Sequence, residues 1–359
     1  MDNFAFIIHP IEPKKDVARK FKLLGRYLHV SIINFLSLYW PPVYLSHVTG
    51  IRSLNGRELE GWLLACPLTP ARMLSLPVEV VYRKIIEVGR LAERLGARIL
   101  GLGAFTSIVG DAGLTVARRL DIPVTTGDSY TVAVTIEAAK MAAQRMGIDL
   151  GQATVAILGA TGAIGRVCAE LLIAEVGEIV LLARRQSALE ELKGYLAERA
   201  STPVAVSSDF DVLKRADVVI GASNSLDALI KPNHLKSGAV VCDVAVPHDV
   251  GRCVLSARKD VLVIDGGIVE VPGPVDFAFN FGLRPKLAYA CMAETMLLAL
   301  EGRYEDYTLG RRIALAKVQE MGQLACKHGF KVAALRSFER TVTDKQIAMI
   351  RELAQARQR

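Results

Sequence analysis

None of the six cysteines, Cys66, Cys168, Cys242, Cys253, Cys291 and Cys326, stands in a Cys-x-x-Cys pair. The common zinc-site and dithiol-redox arrangements are thereby excluded. No cluster of ligand-type residues calls for a metal, and none is expected. Aromatic residues are sparse, at 6%, and no basic-aromatic patch or nucleic-acid motif is present, so no nucleic-acid partner is expected. Long hydrophobic runs are missing too. The most apolar early stretch, Val30 to Leu45, is broken by Asn34, two serines and Pro41-Pro42. It falls short of the roughly 18–20 apolar residues a membrane span needs. It reads as a core or pocket-lining segment, with peripheral contact with a membrane or a long acyl chain as the other reading. The start, Met1-Asp2-Asn3-Phe4, lacks the basic residues of a secretory leader. A cytoplasmic protein with free thiols is expected. No internal repeat or low-complexity linker stands out.

What is present suits a well-buried α/β protein. Hydrophobic residues make up 51% and charged residues 23% of 359 positions, which argues against disorder. That length favours two domains over one core. The net charge of +7 is either ordinary solubility charge or an attraction for an acidic partner.

The pattern predicts a first α/β region over residues 1–130. Leu59–Cys66 and Arg98–Leu102 read as strands, and Pro77–Leu95 has helical spacing. The turns at Gly103–Ser107 and Val124–Ser129 follow strands, where a ligand crevice would lie, although tight turns alone explain them. Tyr130–Met146 reads as a linker helix. Thr154–Leu158, Ile179–Ala183, Val204–Val206, Val218–Gly221, Ala239–Asp243 and Val261–Asp265 read as strands. Ile164–Ala174 and Ser187–Arg199 read as helices, Ser187 serving as N-cap. Strands alternating with crossovers imply a right-handed parallel sheet. The expected domains are therefore 1–130, an N-terminal α/β domain; 131–284, the linker helix and a doubly wound parallel sheet; and 285–359, a C-terminal helical segment.

The firmest local signal is Ala153-Thr-Val-Ala-Ile-Leu-Gly-Ala-Thr-Gly-Ala-Ile-Gly165. A β-branched run enters a loop with three spaced glycines and then an amphipathic helix. This is the strand, phosphate loop and helix of a Rossmann-type dinucleotide unit. Gly159 permits the tight turn, Gly162 the approach of a pyrophosphate, and Gly165 close packing of helix on sheet. Ala160, Thr161, Ala163 and Ile164 complete the loop, and the helix N-terminus favours the anion. The second strand ends in Ala183-Arg184-Arg185, without the acid that usually binds the ribose 2′-hydroxyl of NAD. Arg184 and Arg185 instead suit a 2′-phosphate, so NADPH is the expected cofactor. Ser223 and Asn224 would lie near the nicotinamide ribose, and Gly266 and Gly267 at the nicotinamide end. A plain turn role is equally open to all four.

By pattern alone Cys291 is a small buried core residue. Pro285 suits a helix's first turn, which would put Cys291 near the seventh helical position, too deep for the dipole to act strongly on its thiol. Glu294 would share its face, either orienting a partner or buried and hydrogen-bonded. His248 and His328 stay outside the catalytic set as surface or structural histidines.

Seven segments carry a resemblance across about Gly56 to Leu335. They are Gly103-Ala-Phe-Thr-Ser-Ile108, Thr125-Thr-Gly-Asp128, Met146-Gly-Ile-Asp149, the Gly159–Gly165 loop, Gly266-Gly-Ile-Val-Glu270, Ala290-Cys-Met-Ala-Glu-Thr-Met-Leu-Leu298 and His328-Gly-Phe330. Together they resemble the cyanobacterial long-chain acyl-[acyl-carrier-protein] reductases. The first 50 residues and Pro272–Leu283 match poorly, and some two dozen residues follow Leu335. The resemblance implies that Cys291 is the acyl-accepting nucleophile and that NADPH reduces the acyl group to a fatty aldehyde. It implies an acyl carrier protein or acyl-CoA as substrate carrier, and an aldehyde-consuming partner enzyme. Phe105, Thr106 and Ser107 would then belong to the substrate site, with Thr106, Ser107 or nearby backbone donating to the oxyanion, and Lys286 or Arg284 would favour the thiolate. Two other readings stand beside it: a dehydrogenase of the shikimate or glutamyl-tRNA reductase type, and a non-catalytic NADP-binding sensor.

Overall fold

The computed structural model describes residues 2–338 and 340–358; Met1, Glu339 and Arg359 lie outside the described residues. Two compact units divide the chain. One holds residues 1–130 and 269–331, the other residues 131–268 and 332–359.

The first unit begins with β1 (Asp2–Ile8), three short helices α1 (Pro13–Lys20), α2 (Lys22–Tyr27) and α3 (Val30–Ser37), then β2 (Val43–Arg52) and β3 (Glu58–Ala65). It continues through α4 (Pro70–Ser75), α5 (Val78–Arg94), β4 (Leu100–Leu102), α6 (Phe105–Ile108), α7 (Leu114–Arg118) and β5 (Val124–Thr125). The sheet order is β2-β3-β1-β4-β5. β1, β3, β4 and β5 run parallel, and β2 is antiparallel to β3. Parallel strands are covered on both faces, and Phe4, Ala5, Phe6 and Ile7 of β1 are accordingly all buried. A Cβ on Gly61 would stand 2.3 Å from the Phe4 ring, so the glycine makes room for the phenylalanine. On α5, Val81, Ile85, Val88 and Ala92 are buried at helical spacing and face that sheet.

The second unit takes most of α8 (Asp128–Met146), then β6 (Thr154–Leu158), α9 (Ala163–Leu172), β7 (Glu178–Leu182), α10 (Gln186–Ala197), β8 (Val204–Ser207), β9 (Val218–Gly221), β10 (Val240–Asp243), α11 (Arg252–Ala257) and β11 (Leu262–Asp265). Its six strands are ordered β11-β10-β9-β6-β7-β8 and are all parallel. Counted from β6, this is the 3-2-1-4-5-6 order of a doubly wound dinucleotide fold, with its switch point between β6 and β9. One expectation fails here. α10 starts at Gln186 with Arg185 as its cap, and no side chain caps it. The Leu189 N–H already bonds the Arg185 carbonyl, so Ser187 lies inside the first turn.

The last third departs more from expectation. Residues 285–331 belong to the first unit and 332–359 to the second. β12 (Ile268–Glu270) precedes them, and they contain β13 (Leu287–Tyr289), α12 (Ala290–Glu301), α13 (Leu315–His328) and α14 (Asp344–Gln358). Pro285 does not open a helix. Lys286 has φ +68°, a left-handed conformation that no α-helix accommodates, and Leu287–Tyr289 is extended. The helix begins at Ala290, so Cys291 is its second residue rather than its seventh. α12 packs on β1 and β4 within the first unit.

Candidate active site

The cofactor cradle lies at the switch point of the second unit. Gly159 leaves β6 with φ +78°, and a Cβ on it would sit 2.5 Å from the Ala222 carbonyl oxygen and 2.9 Å from Ser223 Cα. A Cβ on Gly165 would be 2.4 Å from the Gly159 carbonyl, and one on Gly162 3.1 Å from the same atom. The loops after β6 and β9 thus touch, and a side chain at Gly159 or Gly165 would strike the loop backbone and force the turn open. Gly162 is the flanking residue of α9, whose first N–H groups have no acceptor in their own helix. The residues present therefore fit a dinucleotide.

Ala160 is fully buried beneath the loop, whereas Thr161, Ala163 and Ile164 are part-exposed along it. Arg184 and Arg185 follow β7 and are exposed. Ser223 is fixed from behind: Asp249 accepts its backbone N–H at 2.9 Å and also its hydroxyl hydrogen. Asn224 is exposed. Gly266 and Gly267 follow β11 beside Val244, Gly267 with φ +68°. Burial and the nearby Asp243 raise the Asp249 carboxyl to about 6. Its role behind Ser223 was not foreseen, since 26 residues separate the two.

Cys291 belongs to the first unit. It is part-exposed, and the loop between β5 and α8 presses directly on it. Gly127 has φ +78°, and a Cβ there would stand 2.3 Å from Cys291 Cα. The same loop carries Asp128, a buried carboxylate. Glu294, one turn further along α12, is fully buried and accepts three hydrogen bonds, from Thr125 Oγ1 (2.5 Å), the Tyr130 N–H (2.8 Å) and Thr308 Oγ1 (2.7 Å). Residues 306–308 complete the frame. Asp306 accepts the Val124 N–H, and the Thr308 carbonyl accepts the Thr126 N–H at 2.9 Å. Of the two roles open to Glu294, the structure shows the buried, hydrogen-bonded one, in which it locks the loop to the helix.

Burial pushes the Cys291 thiol up to about 12, and the Asp128 and Glu294 charges add to the rise. The charges that act most on the sulfur are acids, and Arg284 and Lys286 are exposed. The position in the first turn of α12 works the other way, because the helix N-terminus favours a thiolate. Asp128 is itself raised to about 7 by burial and by the charge of Glu294. Thr126, near enough to oppose that rise, keeps a buried hydroxyl that makes no hydrogen bond among the described residues. The resting pair is a neutral thiol beside a carboxyl that titrates near neutrality. Asp128 lies in one of the segments that carry the resemblance, but nothing local marked it as functional.

Phe105, Thr106 and Ser107 form α6 at the C-terminal end of β4, beside β5, and are buried. The Thr106 and Ser107 hydroxyls donate to the Gly103 and Ala104 carbonyls of their own turn. His9 holds the same turn by accepting the Phe105 N–H at 3.0 Å, and burial keeps its imidazole neutral by lowering it to about 4. His328 is structural: Nδ1 meets Ser53 Oγ at 2.7 Å, and Nε2 meets Glu301. His248 lies 3.4 Å from Asp243 and edge-on to Phe338. Among the described residues no group of three or more histidines, cysteines and acids is placed to hold a metal. None of their helices is long and apolar enough to cross a membrane.

Residues 140–265 match the family model of shikimate/quinate 5-dehydrogenases, a span that lies within the second unit. The long-chain acyl-[acyl-carrier-protein] reductase of Synechococcus elongatus is 31% identical over 310 residues, which cover 82% of this chain and 89% of that protein. Aminotransferase PigE of a Serratia strain is 35% identical over 352 residues, 96% of this chain but 41% of that protein. The chain therefore spans about two fifths of the length of that relative. L-tryptophan dehydrogenase from Nostoc punctiforme aligns over 99% of this chain and 89% of its own, at 12% identity and a TM-score of 0.42. Fold, cradle and relatives define an NAD(P)-binding protein of the dehydrogenase and reductase class. Within that class, the chain belongs to the family of the long-chain acyl-[acyl-carrier-protein] reductase.

Proposed function

We propose that this protein reduces long-chain acyl thioesters to aldehydes with NADPH, through an acyl group carried on Cys291. The observation that carries the reading is a part-exposed cysteine in the first turn of α12, held against a loop that bears a carboxyl raised to about 7. The Cys291 sulfur adds to the thioester carbonyl carbon, and the bond from that carbon to the carrier sulfur breaks. Asp128 takes the thiol proton and returns it to the departing carrier thiolate, which leaves as a thiol. The N–H groups of Cys291 and Met292, which lie against the Cys291 sulfur, would be the donors to the developing oxyanion once that sulfur is bonded to carbon. This assignment replaces Thr106 and Ser107, whose hydroxyl hydrogens are held in their own turn.

The Gly159–Gly165 loop would hold the pyrophosphate of NADPH, with Arg184 and Arg185 on the 2′-phosphate and Ser223, Asn224, Gly266 and Gly267 toward the nicotinamide. When bound, that cofactor supplies the hydride that, with one proton, releases the acyl group as aldehyde and restores the Cys291 thiol. The carrier is an acyl carrier protein or coenzyme A, and a further enzyme consumes the aldehyde. Incubation with NADPH and a palmitoyl thioester tests the reading. Aldehyde should form, and mass spectrometry without NADPH should find one acyl group on Cys291. A Cys291→Ala variant that keeps full reductase activity refutes the mechanism.

A further inference from the structure

Two N-terminal helices, α2 and α3, carry apolar residues on the wrong side for a water-facing surface. On α3, Ile33 and Ser37 are buried, while Ile32 and Phe35 face outward, 46% and 61% exposed. Tyr39, 68% exposed, extends the same stripe at i, i+3 and i+7, its ring 5.5 Å from that of Phe35. On α2, Leu23 and Tyr27 form an outward pair at i and i+4, each 71% exposed. The buried residue of α2 is Gly25, where a Cβ would stand 2.4 Å from the Ala18 backbone nitrogen. The contact with α1 thus fixes which face of α2 points out. Thirteen large hydrophobic residues are exposed among the described residues, and six of them lie between Leu23 and Tyr44. Concentration on that scale marks an interaction surface rather than scattered surface residues.

The same segment is strongly basic. Pro13–Tyr44 holds six basic residues against one acid, a net of +5 in a chain of net +7. Asp16, the one acid, is engaged by Arg19 at 3.3 Å and by the Ile11 and Glu12 N–H groups. Lys14 of α1 and Lys22 and Arg26 of α2 are exposed. Outward Leu, Ile, Phe and Tyr flanked by Lys and Arg is the composition of a helix pair that lies in a membrane interface. An acidic protein would be met by the charges, but would leave the protruding aliphatic and aromatic groups without a function.

We propose that the face formed by α2, α3 and Tyr39 docks on an anionic lipid surface. Leu23, Tyr27, Ile32, Phe35 and Tyr39 enter the boundary between headgroups and acyl chains, and Lys14, Lys22 and Arg26 meet lipid phosphates. The inference does not depend on the reaction at Cys291. Flotation of the full chain tests it, with vesicles of phosphatidylcholine alone and with vesicles containing about 30% phosphatidylglycerol in about 0.1 M salt. Binding should be at least about tenfold stronger to the anionic vesicles and should weaken as salt rises. A Phe35→Ser/Tyr39→Ser variant and a Lys14→Glu/Lys22→Glu/Arg26→Glu variant should each lose at least about tenfold. Both change exposed side chains only, and unchanged thermal melting would show that the fold is intact. Equal binding by wild type and both variants, or no binding to either vesicle, overturns the proposal. So does a dimer in solution that the Phe35→Ser/Tyr39→Ser variant dissociates while vesicles recruit nothing. An acyl carrier protein that binds wild type but not the charge variant, with no recruitment to vesicles, overturns it as well.

Discussion

Replacing Asp128 by asparagine separates two consequences of one carboxyl. The carboxyl titrates at about 7 instead of 3.8, a rise of about 3 units, or about 4 kcal/mol. Between those values the folded protein holds a proton that the unfolded chain has released. Stability therefore falls as pH rises from about 4 to about 7, and the loss is complete above that. Asp128 is only 6% exposed, so solvent screens little of this. The amide that replaces the carboxyl cannot ionise. Relative to wild type, the variant should gain up to about 4 kcal/mol at alkaline pH, about half of it developing between pH ~5.5 and ~8.5. Differential denaturant melts across that range read the gain directly.

The same substitution should split the chemistry of Cys291. Removing the Asp128 charge lowers a thiol that this charge helps to raise, so alkylation by iodoacetamide, which needs only thiolate, should speed up. Acyl transfer from a thioester should instead slow by about 10²–10⁴-fold, because the proton acceptor is gone. If acylation accelerates together with alkylation, Asp128 only burdens the thiol and the proton-transfer role is refuted. A variant whose stability tracks wild type at every pH refutes the raised carboxyl itself.

Gly127→Ala should damage the site through sterics alone. Its φ of +78° and a Cβ 2.3 Å from Cys291 Cα predict a loss of about 2–4 kcal/mol in thermal or denaturant unfolding, with Cys291 acylation impaired in whatever protein folds. An Arg184→Ala/Arg185→Ala double variant should weaken NADPH binding by about 10–100-fold while leaving NADH nearly unchanged. Fluorescence titration measures both, and an equal loss for the two cofactors would move the arginines off the 2′-phosphate.

The cradle was legible because its determinants are local. Three glycines at fixed spacing, a β-branched run before them and an apolar helix after them lie within Ala153–Leu172, and the fold needs little else to form the loop. The parallel direction of the strands follows from the alternation of short strands with crossovers. The start of the helix that carries Cys291 was misplaced because Pro285 is a fair helix opener, whereas the feature that prevents it, the positive φ of Lys286, has no signature in a lysine. Ser187 failed as a cap by one local hydrogen bond, from Leu189 to Arg185. Asp128 and Asp249 stayed invisible for a different reason. Their environments are assembled at long range: the Glu294 contact with Thr125 spans 169 positions and that with Tyr130 spans 164.

The acidity around Cys291 at first argues against a nucleophile, since most reactive cysteines sit among cations. The geometry turns that objection around. A thiol pushed up to about 12 is neutral in the resting protein and inert toward adventitious oxidants and electrophiles, which attack thiolate. In the proposed reaction it would become nucleophilic only when its proton leaves in step with bond formation, and a carboxyl near 7 suits that transfer. Burial raises the Glu294 carboxyl, and the three donors that hold it work against that rise by favouring its charge. That charge helps to raise Asp128, so the frame that fixes the loop also sets the acceptor. Gly127 closes the arrangement, because no other residue lets the backbone that carries Asp128 lie so near Cys291. On the proposed mechanism, reactivity would come from coupling the thiol to a tuned carboxyl, not from a resting thiolate.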